Sequence, residues 1–450
     1  MRRASAALAL VWGLAACQSG PGGAYKRRLN AQLAAQDYAA AEQSVRQNRD
    51  SEYGRKNAVL YNLDLGTVLH HEGQYKASDD AFDQAELRMQ ELYTKSVTKA
   101  AGTLVLNDTT VDYAGEPFER ALTHVYRALD WLFQGRLDEA LVEARKVGLF
   151  LDELNRNLQD KDKYKDDAFA QYLSALLYAD SGKDDDARIS MDSADKAYAW
   201  YASDYGTPRP DFGLPQSPPE APDGELVFIH FNGVAPLKVS RTLQVAWNQA
   251  LAMARASPDT EANGARFTNA LAAGVMGRAI TVAYPEYQAQ PFTVRRSRVA
   301  ADSGGAPAET ALMEDIQAIA TKTLRDRIGW ITARAIARAA VKYAIAEAAS
   351  KAAAKGCDRN SASGSFPNLL CKSLASAAFH GLASFSEVAD TRCWGALPAQ
   401  IRMARLRLPA GPHKVTVDFE DATGAVLSSR VFDVTIQPGK RTYLSWRTSN

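Results

Sequence analysis

The chain has 450 residues, enough for two or three domains, and its 53 Lys and Arg nearly balance its 52 Asp and Glu. The net charge of +1 argues against a nucleic-acid-binding protein, because such proteins usually carry a basic excess. Hydrophobic residues make up 46% of the chain, so we expect sizeable cores.

The N-terminus has the pattern of a secretory leader. Arg2 and Arg3 precede a mostly apolar run over residues 4–14, which is too short to span a hydrocarbon layer of roughly 30 Å as a helix. No later stretch is apolar enough over a sufficient length to cross a membrane. We therefore expect export across the membrane and no transmembrane helix.

The sequence LAAC at residues 14–17 resembles the bacterial lipobox. The resemblance implies cleavage between Ala16 and Cys17, with acyl chains added to the thiol and to the new amino terminus of Cys17. Residues 1–16 would be the signal peptide and 17–24 a lipidated, flexible tether. Gln18, in place of Asp, favours the outer membrane and a protein facing the periplasm. The alternative is an ordinary secretory leader whose cleavage site happens to precede a cysteine.

Residues 25–205 contain irregular helical repeats. In LYNLDLGTVLHHEGQYKASDDAFDQAE, residues 60–86, Gly66, Gly73 and Phe82 have the spacing of a tetratricopeptide repeat. Similar spacing recurs along the segment, with turns predicted at residues 36, 73, 135 and 182. The fold class that follows is α+β, with an N-terminal tetratricopeptide-like α-solenoid. An inserted loop is predicted over residues 94–118.

The first helix of each repeat is expected to line a concave groove. Most of the predicted lining residues are apolar, so we expect a groove closed by a later segment of this chain or by a permanent partner. The alternative is a helical register that is wrong by one turn. The predicted lining is Leu63, Thr67, His70, Leu122, Val125, Leu129, Phe133, Phe169 and Tyr172.

A proline-rich stretch over residues 206–224 predicts a semi-rigid linker, since proline disfavours both helices and central strands. The C-terminal α/β region then covers 225–450. Strands are predicted to begin near 225 and 279, with a helix over 240–256. An antiparallel β-meander over about 401–448 is expected to form a small sandwich with those strands.

A long helix is predicted over about 308–355, and its many alanines make it the segment expected to fill the groove. Arg334, Arg338 and Lys342 are four residues apart and form a basic stripe on this helix. The stripe would bind anionic lipid or a peptidoglycan carboxylate. The alternative is an ordinary solvated face or a set of ion pairs.

The chain has only four cysteines. With Cys17 acylated, Cys357 and Cys371 are the preferred disulfide pair, because they bracket a polar, glycine-containing loop. Cys393 is then left over. Paired C-x-x-C or H-x-x-x-H spacings do not occur beside these cysteines, so no zinc site is predicted.

Several blocks of sequence together resemble a family of poorly characterised Gram-negative lipoproteins with tetratricopeptide repeats. The blocks include YAGEPFERALTHVYRALDWLFQGRLDEALVEARKV, ELVFIHFNGVAPLKV, DTRCWGALPAQIRMARLRLPAG and PGKRTYLSWRT. The resemblance extends over nearly the whole chain after the leader. That family has no established catalytic residues, so the resemblance implies none here.

No catalytic motif stands out in the sequence. Six histidines are scattered, and Ser384 lacks a G-x-S-x-G context. Glu119 and Glu143 could form an acid pair inside the repeats, and inter-helix salt bridges are the alternative. No catalytic residue, metal or cofactor is predicted.

The leading hypothesis is a non-enzymatic envelope lipoprotein, anchored in the membrane through Cys17, that binds a protein partner during envelope or cell-wall assembly. The alternative is a glycan- or peptidoglycan-binding module that uses the C-terminal sandwich and the basic helix. An enzyme with an unrecognised site is the third hypothesis.

Overall fold

A computed structural model describes residues 20–98, 108–157, 164–211, 218–246, 279–360, 368–373 and 388–450. It has a mixed α+β fold, as expected, with helices in the N-terminal half and sheets in the C-terminal half. The leader and Cys17 lie outside the described residues.

The N-terminal half consists of helix pairs joined by tight turns. Each predicted turn residue has a positive φ: 58° at Gln36, 84° at Gly73, 74° at Gly135 and 69° at Gly182. A left-handed residue at this position ends a helix and reverses the chain. The helices are α1 (Gly23–Ala34), α2 (Tyr38–Gln47), α3 (Ala58–Glu72), α4 (Tyr75–Thr98), α5 (Pro117–Phe133), α6 (Leu137–Asn157), α7 (Ala168–Asp180) and α8 (Asp184–Asp204).

The second helix pair shows why small residues recur in these helices. A Cβ atom at Gly66 of α3 would lie 2.8 Å from a ring carbon of Phe82 on α4. The absent side chain therefore allows the Phe82 ring, which is fully buried, to pack directly on the backbone of α3.

The predicted flexible tether over 17–24 is wrong from residue 20 onward. Gly20 and Pro21 are buried, and α1 already begins at Gly23. The amide of Gly22 donates a hydrogen bond of 2.9 Å to the carboxylate of Glu52. Gly20 itself packs on the side chain of Arg392, so contacts with both halves of the chain hold this segment.

The described residues of the C-terminal half form two four-stranded sheets and a separate two-stranded one, with strand orders β10-β1-β7-β6, β5-β4-β8-β9 and β2-β3. Within the first sheet, β1 pairs in parallel with β10 and antiparallel with β7. The strands are β1 (Asp223–Asn232), β2 (Leu237–Ala246), β3 (Ala279–Gln288), β4 (Arg296–Ala301), β5 (Ala308–Glu309), β6 (Ala311–Asp315), β7 (Gln400–Pro409), β8 (Gly411–Glu420), β9 (Val426–Ile436) and β10 (Arg441–Thr448).

The predicted meander over 401–448 is correct in its four strands and wrong in their pairing. Strands β8 and β9 form a hairpin, but β7 and β10 both pair with β1 in the other sheet. The two four-stranded sheets share one apolar cluster, which includes Phe228 of β1 and Val417 of β8. Burial of that cluster requires the chain to change sheets after β7 and again after β9.

The two-stranded sheet corrects two further predictions. Residues 240–246, predicted as the start of a helix, belong to β2, because their alternating and β-branched side chains pair with β3. The strand beginning at residue 279 pairs with β2 and not with the larger sheets. Residues 247–256 of the predicted helix lie outside the described part of the chain.

The long helix begins later than predicted. Residues 308–315 form β5 and β6, and helix α9 covers Ile316–Asn360. Asp315 caps this helix by accepting a 2.8 Å hydrogen bond from the amide of Ala318. Pairing of β6 with β7 outweighs the helical propensity of this stretch.

One hydrophobic core joins the two halves. It combines apolar residues of α1–α8 with Phe231 of β1, Met403 of β7, Met313 of β6 and Trp394. The halves on either side of the proline-rich stretch 206–224 are thus packed together. Within that stretch Thr207 is fully buried, and β1 begins at Asp223, inside the predicted linker.

Candidate functional site

The predicted groove residues do lie together, and the chain's own C-terminal half covers them. Eight of the nine are at most 2% exposed, and Phe133 is half-buried against the same core. Residues 389–399 and the first sheet contribute Trp394, Phe231 and Met403 to this core. The first turns of α9 contribute Ile316 and Ile319, whereas a later part of α9, predicted to fill the groove, packs on the β2–β3 pair instead.

Trp394 occupies the centre of the groove. Its side chain is only 1% exposed, and its indole nitrogen donates a 2.9 Å hydrogen bond to the hydroxyl of Thr67. Its ring lies 5.7 Å, between centroids, from both Phe82 and Tyr126. Phe231 of β1 stacks on Tyr126, with 5.4 Å between the two ring centroids.

Two buried carboxylates bind the backbone of this segment. Glu119 of α5 accepts a 2.7 Å hydrogen bond from the amide of Trp394, and Asp64 of α3 accepts one of 2.9 Å from the amide of Ala396. Tyrosine hydroxyls donate to the same carboxylates, Tyr113 to Glu119 at 2.6 Å and Tyr53 to Asp64 at 2.8 Å. The carboxylates therefore satisfy amides that would otherwise be buried without partners.

Burial dominates the ionisation of both acids. It raises the pKa of Glu119 to about 7 and that of Asp64 to about 6, although the hydrogen bonds they accept act in the opposite direction. Glu119 and Glu143 do not form an acid pair with each other. Glu119 binds the C-terminal segment, whereas Glu143 forms a 3.0 Å contact with His124.

A second polar contact joins α7 to the first sheet. Glu225 of β1 binds Arg405 of β7 at 2.8 Å and Arg441 of β10 at 2.6 Å. Arg441 also pairs with Asp180 at the end of α7, and Arg405 donates to the hydroxyl of Tyr172 at 3.0 Å. The predicted groove residue Tyr172 is thus bonded to a strand of this chain.

The segment 389–399 is the functional element that sequence reasoning missed. The feature of the sequence that could have indicated this segment is the block DTRCWGALPAQ. In it a tryptophan is surrounded by small and polar residues without helical or strand periodicity. Segments of this kind are usually assigned to loops, although here the small neighbours allow the tryptophan to enter a narrow groove.

The predicted basic stripe is not an open surface. Arg338 is only 3% exposed, because the β2–β3 pair packs on this part of α9 through an apolar cluster that includes Ile336 and Val282. Arg334 lies over the ring of Trp330, with 5.3 Å from Cζ to the centroid. The side chain of Lys342 lies outside the described part of the structure.

Beside this apolar contact, a cavity of about 230 Å³ is lined by residues of α9, of β2 and β3 and of the start of α5. Arg334 and Arg338 line it, together with Lys238 and Glu116. Lys238 and Glu116 form an ion pair of 2.6 Å. The carboxylate of Glu116 therefore already lies among the cations that line this cavity. Trp330, which is half-exposed, lies at the edge of the cavity.

Cys357 and Cys371 are joined by a disulfide in the structure. Cys393 is a buried free thiol whose sulfur lies 3.4 Å from the ammonium nitrogen of Lys26. Cys393 therefore belongs to the contact between the groove segment and α1.

Glu86, His124 and Glu143 have potential metal-ligating atoms within 4.8 Å of one another. Both carboxylates are already bound by cations. Arg127 pairs with Glu86 and with Glu143, and Lys146 lies 3.3 Å from Glu86 and 3.0 Å from Glu143. Arg127 and Lys146 would repel a divalent cation, which could bind the carboxylates only by displacing them. The cluster therefore fits an ion-pair network between α4, α5 and α6 better than a metal site.

Another buried acid pair lies between the two halves. Asp167 caps α7 by accepting a 2.8 Å hydrogen bond from the amide of Ala170, and burial raises its pKa to about 7. Glu314 of β6 is also fully buried, which raises its pKa well above the usual range. Burial therefore favours the protonated form of Glu314.

Within the described residues, no helix combines the length and the apolar composition needed to cross a bilayer. Comparisons with protein-family models, characterised proteins and solved structures produced no match to this chain.

Proposed function

We propose that this protein is a non-enzymatic lipoprotein of the cell envelope, anchored through acylated Cys17 and facing the periplasm from the outer membrane. In this proposal its helix pairs form a tetratricopeptide-like α-solenoid, and its two larger sheets form a small β-sandwich. The observation that carries the proposal is the filled groove. A solenoid whose concave face binds its own C-terminal half serves as a rigid frame that presents other surfaces to a partner.

The position of Gly20 supports a close attachment to the membrane. Only residues 18 and 19 separate acylated Cys17 from a residue that is packed against Arg392. An extended chain spans at most about 3.5 Å per residue, so the folded body would lie within about 10 Å of the anchor. Arg27 and Arg28 of α1 are exposed near this point, where cations favour an anionic lipid surface.

Fractionation of cells tests the anchor. We expect the Cys17→Ser protein to leave the membrane fraction, because one sulfur carries the lipid. Cys393→Ser is the control, and it should remain in the membrane fraction. A Cys17→Ser protein that still fractionates with the outer membrane after removal of the leader would refute the anchor.

The surface around Trp330 is the proposed contact for a protein partner. Trp330 is 50% exposed beside the cavity between α9 and β2–β3, and aromatic residues with adjacent arginine are typical of interface centres. A photo-crosslinking residue at position 330 in intact cells should capture one defined protein. The matched control is position 189 on α8, where Ile189 is 57% exposed. Equal capture at both positions would argue against a specific interface at Trp330.

Binding of glycan or peptidoglycan remains the second proposal, because Trp330 and Arg334 place an aromatic ring and a cation at the mouth of the same cavity. Retention of the protein on purified sacculi at low salt tests it. Trp330→Ala and Arg334→Glu should each abolish retention. Arg338 is unsuitable for this test, since reversing a buried charge would disturb the fold. Absence of retention by the unmodified protein would exclude this proposal.

A further inference from the structure

A second cavity lies within the helical half, away from the filled groove. Its volume is about 440 Å³, within the range of small-molecule sites. Every lining residue that the structure describes belongs to α4, α5 or α6. Tyr93 and Phe150 contribute aromatic walls, and Arg120 of α5 lies between them.

Arg120 is held in an unusual environment for a cation. Its Cζ atom lies 4.3 Å from the ring centroid of Phe150 and 5.3 Å from that of Tyr93. Arg120 is partly buried, and this burial lowers its pKa to about 10, although Tyr93, Glu153 and Glu86 act in the opposite direction. Contacts with aromatic rings attract the charge, but they leave the five N–H donors unused.

Within the described residues, Arg120 forms no ion pair and no side-chain hydrogen bond. The nearest acids are otherwise engaged or exposed. Glu86 is bound by Arg127 and Lys146, while Glu153 lies at the exposed rim. Arg120 is only partly shielded from solvent, so its unused N–H donors are available to an anion that enters the cavity.

The other lining residues restrict the kind of anion. A guanidinium fork matches a planar carboxylate through two parallel hydrogen bonds. Phe150, Tyr93, Met89 and the exposed Leu149 surround that position with apolar surface. We propose that this cavity binds a small carboxylate with an apolar or aromatic body, with Arg120 holding the carboxylate.

This site is independent of the membrane anchor and of the surface around Trp330, so its test stands apart from theirs. Benzoate is the probe, measured by NMR titration of the purified protein at low salt. We expect a dissociation constant below about 10 mM, the affinity of a nine-atom ligand with low efficiency per atom. Benzamide, which has the same shape without the charge, should bind at least about tenfold more weakly.

Arg120→Gln should weaken benzoate binding by at least about tenfold, because it removes the charge-assisted fork. Arg136→Gln is the matched control. Arg136 also lies over an aromatic ring, 4.6 Å from the centroid of Trp131, but it is exposed and paired with Glu139.

Three results would overturn the proposal: no benzoate binding below about 10 mM, equal binding of benzamide, or equal binding by the Arg120→Gln protein. A titration with inorganic phosphate is a further test of the ligand class. Binding of phosphate without benzoate would refute the apolar carboxylate as the ligand class.

Discussion

Replacement of Trp394 by alanine tests whether the segment 389–399 holds the two halves together. The side chain is 1% exposed and contacts Phe82 and Tyr126, so its removal leaves a large cavity at the centre of the shared core. Substitutions of this kind cost about 3–5 kcal/mol. Loss of the bond to Thr67 adds about 1 kcal/mol, which gives about 4–6 kcal/mol in all.

This loss is large compared with the free energy of unfolding of a typical protein, about 5–15 kcal/mol. Urea unfolding followed by far-UV circular dichroism measures the loss of stability. Limited proteolysis shows whether the segment 389–399 becomes accessible. Trp394→Phe keeps one six-membered ring but loses the N–H donor and part of the buried indole, so it should cost less, about 1–3 kcal/mol, and remain folded. Trp330→Ala, at a half-exposed site, is the control and should cost about 1 kcal/mol or less.

A loss below about 1 kcal/mol for Trp394→Ala, with unchanged proteolysis, would refute the reasoning. That result would mean that the core does not depend on a tryptophan in the groove. The filled groove would then no longer support a frame function for the helical half.

Two further predictions concern residues around the groove. Burial raises the pKa of Glu119 from 4.5 to about 7, so protonation of Glu119 is stronger in the folded state and stabilises it. This contribution to the free energy of unfolding, about 3 kcal/mol, is lost as the pH rises from about 4 to about 7. Urea unfolding at several pH values should show a flatter pH dependence for Glu119→Gln than for the unmodified protein, and identical curves would contradict the burial effect. Gly66→Ala should destabilise the protein by about 1–3 kcal/mol in thermal unfolding, since its Cβ would contact the ring of Phe82. Gly148→Ala, in a helix with 3.8 Å to the nearest neighbour, should be neutral or stabilising, and equal losses at both glycines would exclude the close approach as the cause.

Local signals predicted the helical half well. Gly73, Gly135 and Gly182 mark turns because a left-handed residue is needed there, and glycine adopts that conformation without a steric penalty. Gln36 occupies the equivalent position in the first pair with φ 58°. The apolar positions of the predicted groove followed from the same spacing, and they are buried in the structure.

The prediction of the long helix failed in part for a physical reason. Alanine-rich composition predicts a helix but does not say which neighbour it packs against. The β2–β3 pair covers α9 and buries Arg338, whereas the groove receives a short segment centred on Trp394. Shape and hydrogen bonding select that segment, since Glu119 and Asp64 bind its backbone amides.

The amino-acid sequence by itself determined where most of the helices and C-terminal strands lie, because helix turns and strand alternation depend on neighbours a few residues away. Only the tertiary structure decided that β10 pairs with β1, that β7 and β8 belong to different sheets, and that residues 389–399 close the groove. These contacts join residues that are far apart in the chain, such as Glu119 and Trp394, whose separation is 275. No local pattern encodes such a pairing, since it depends on the complementary shape and charge of surfaces that exist only after the elements have formed.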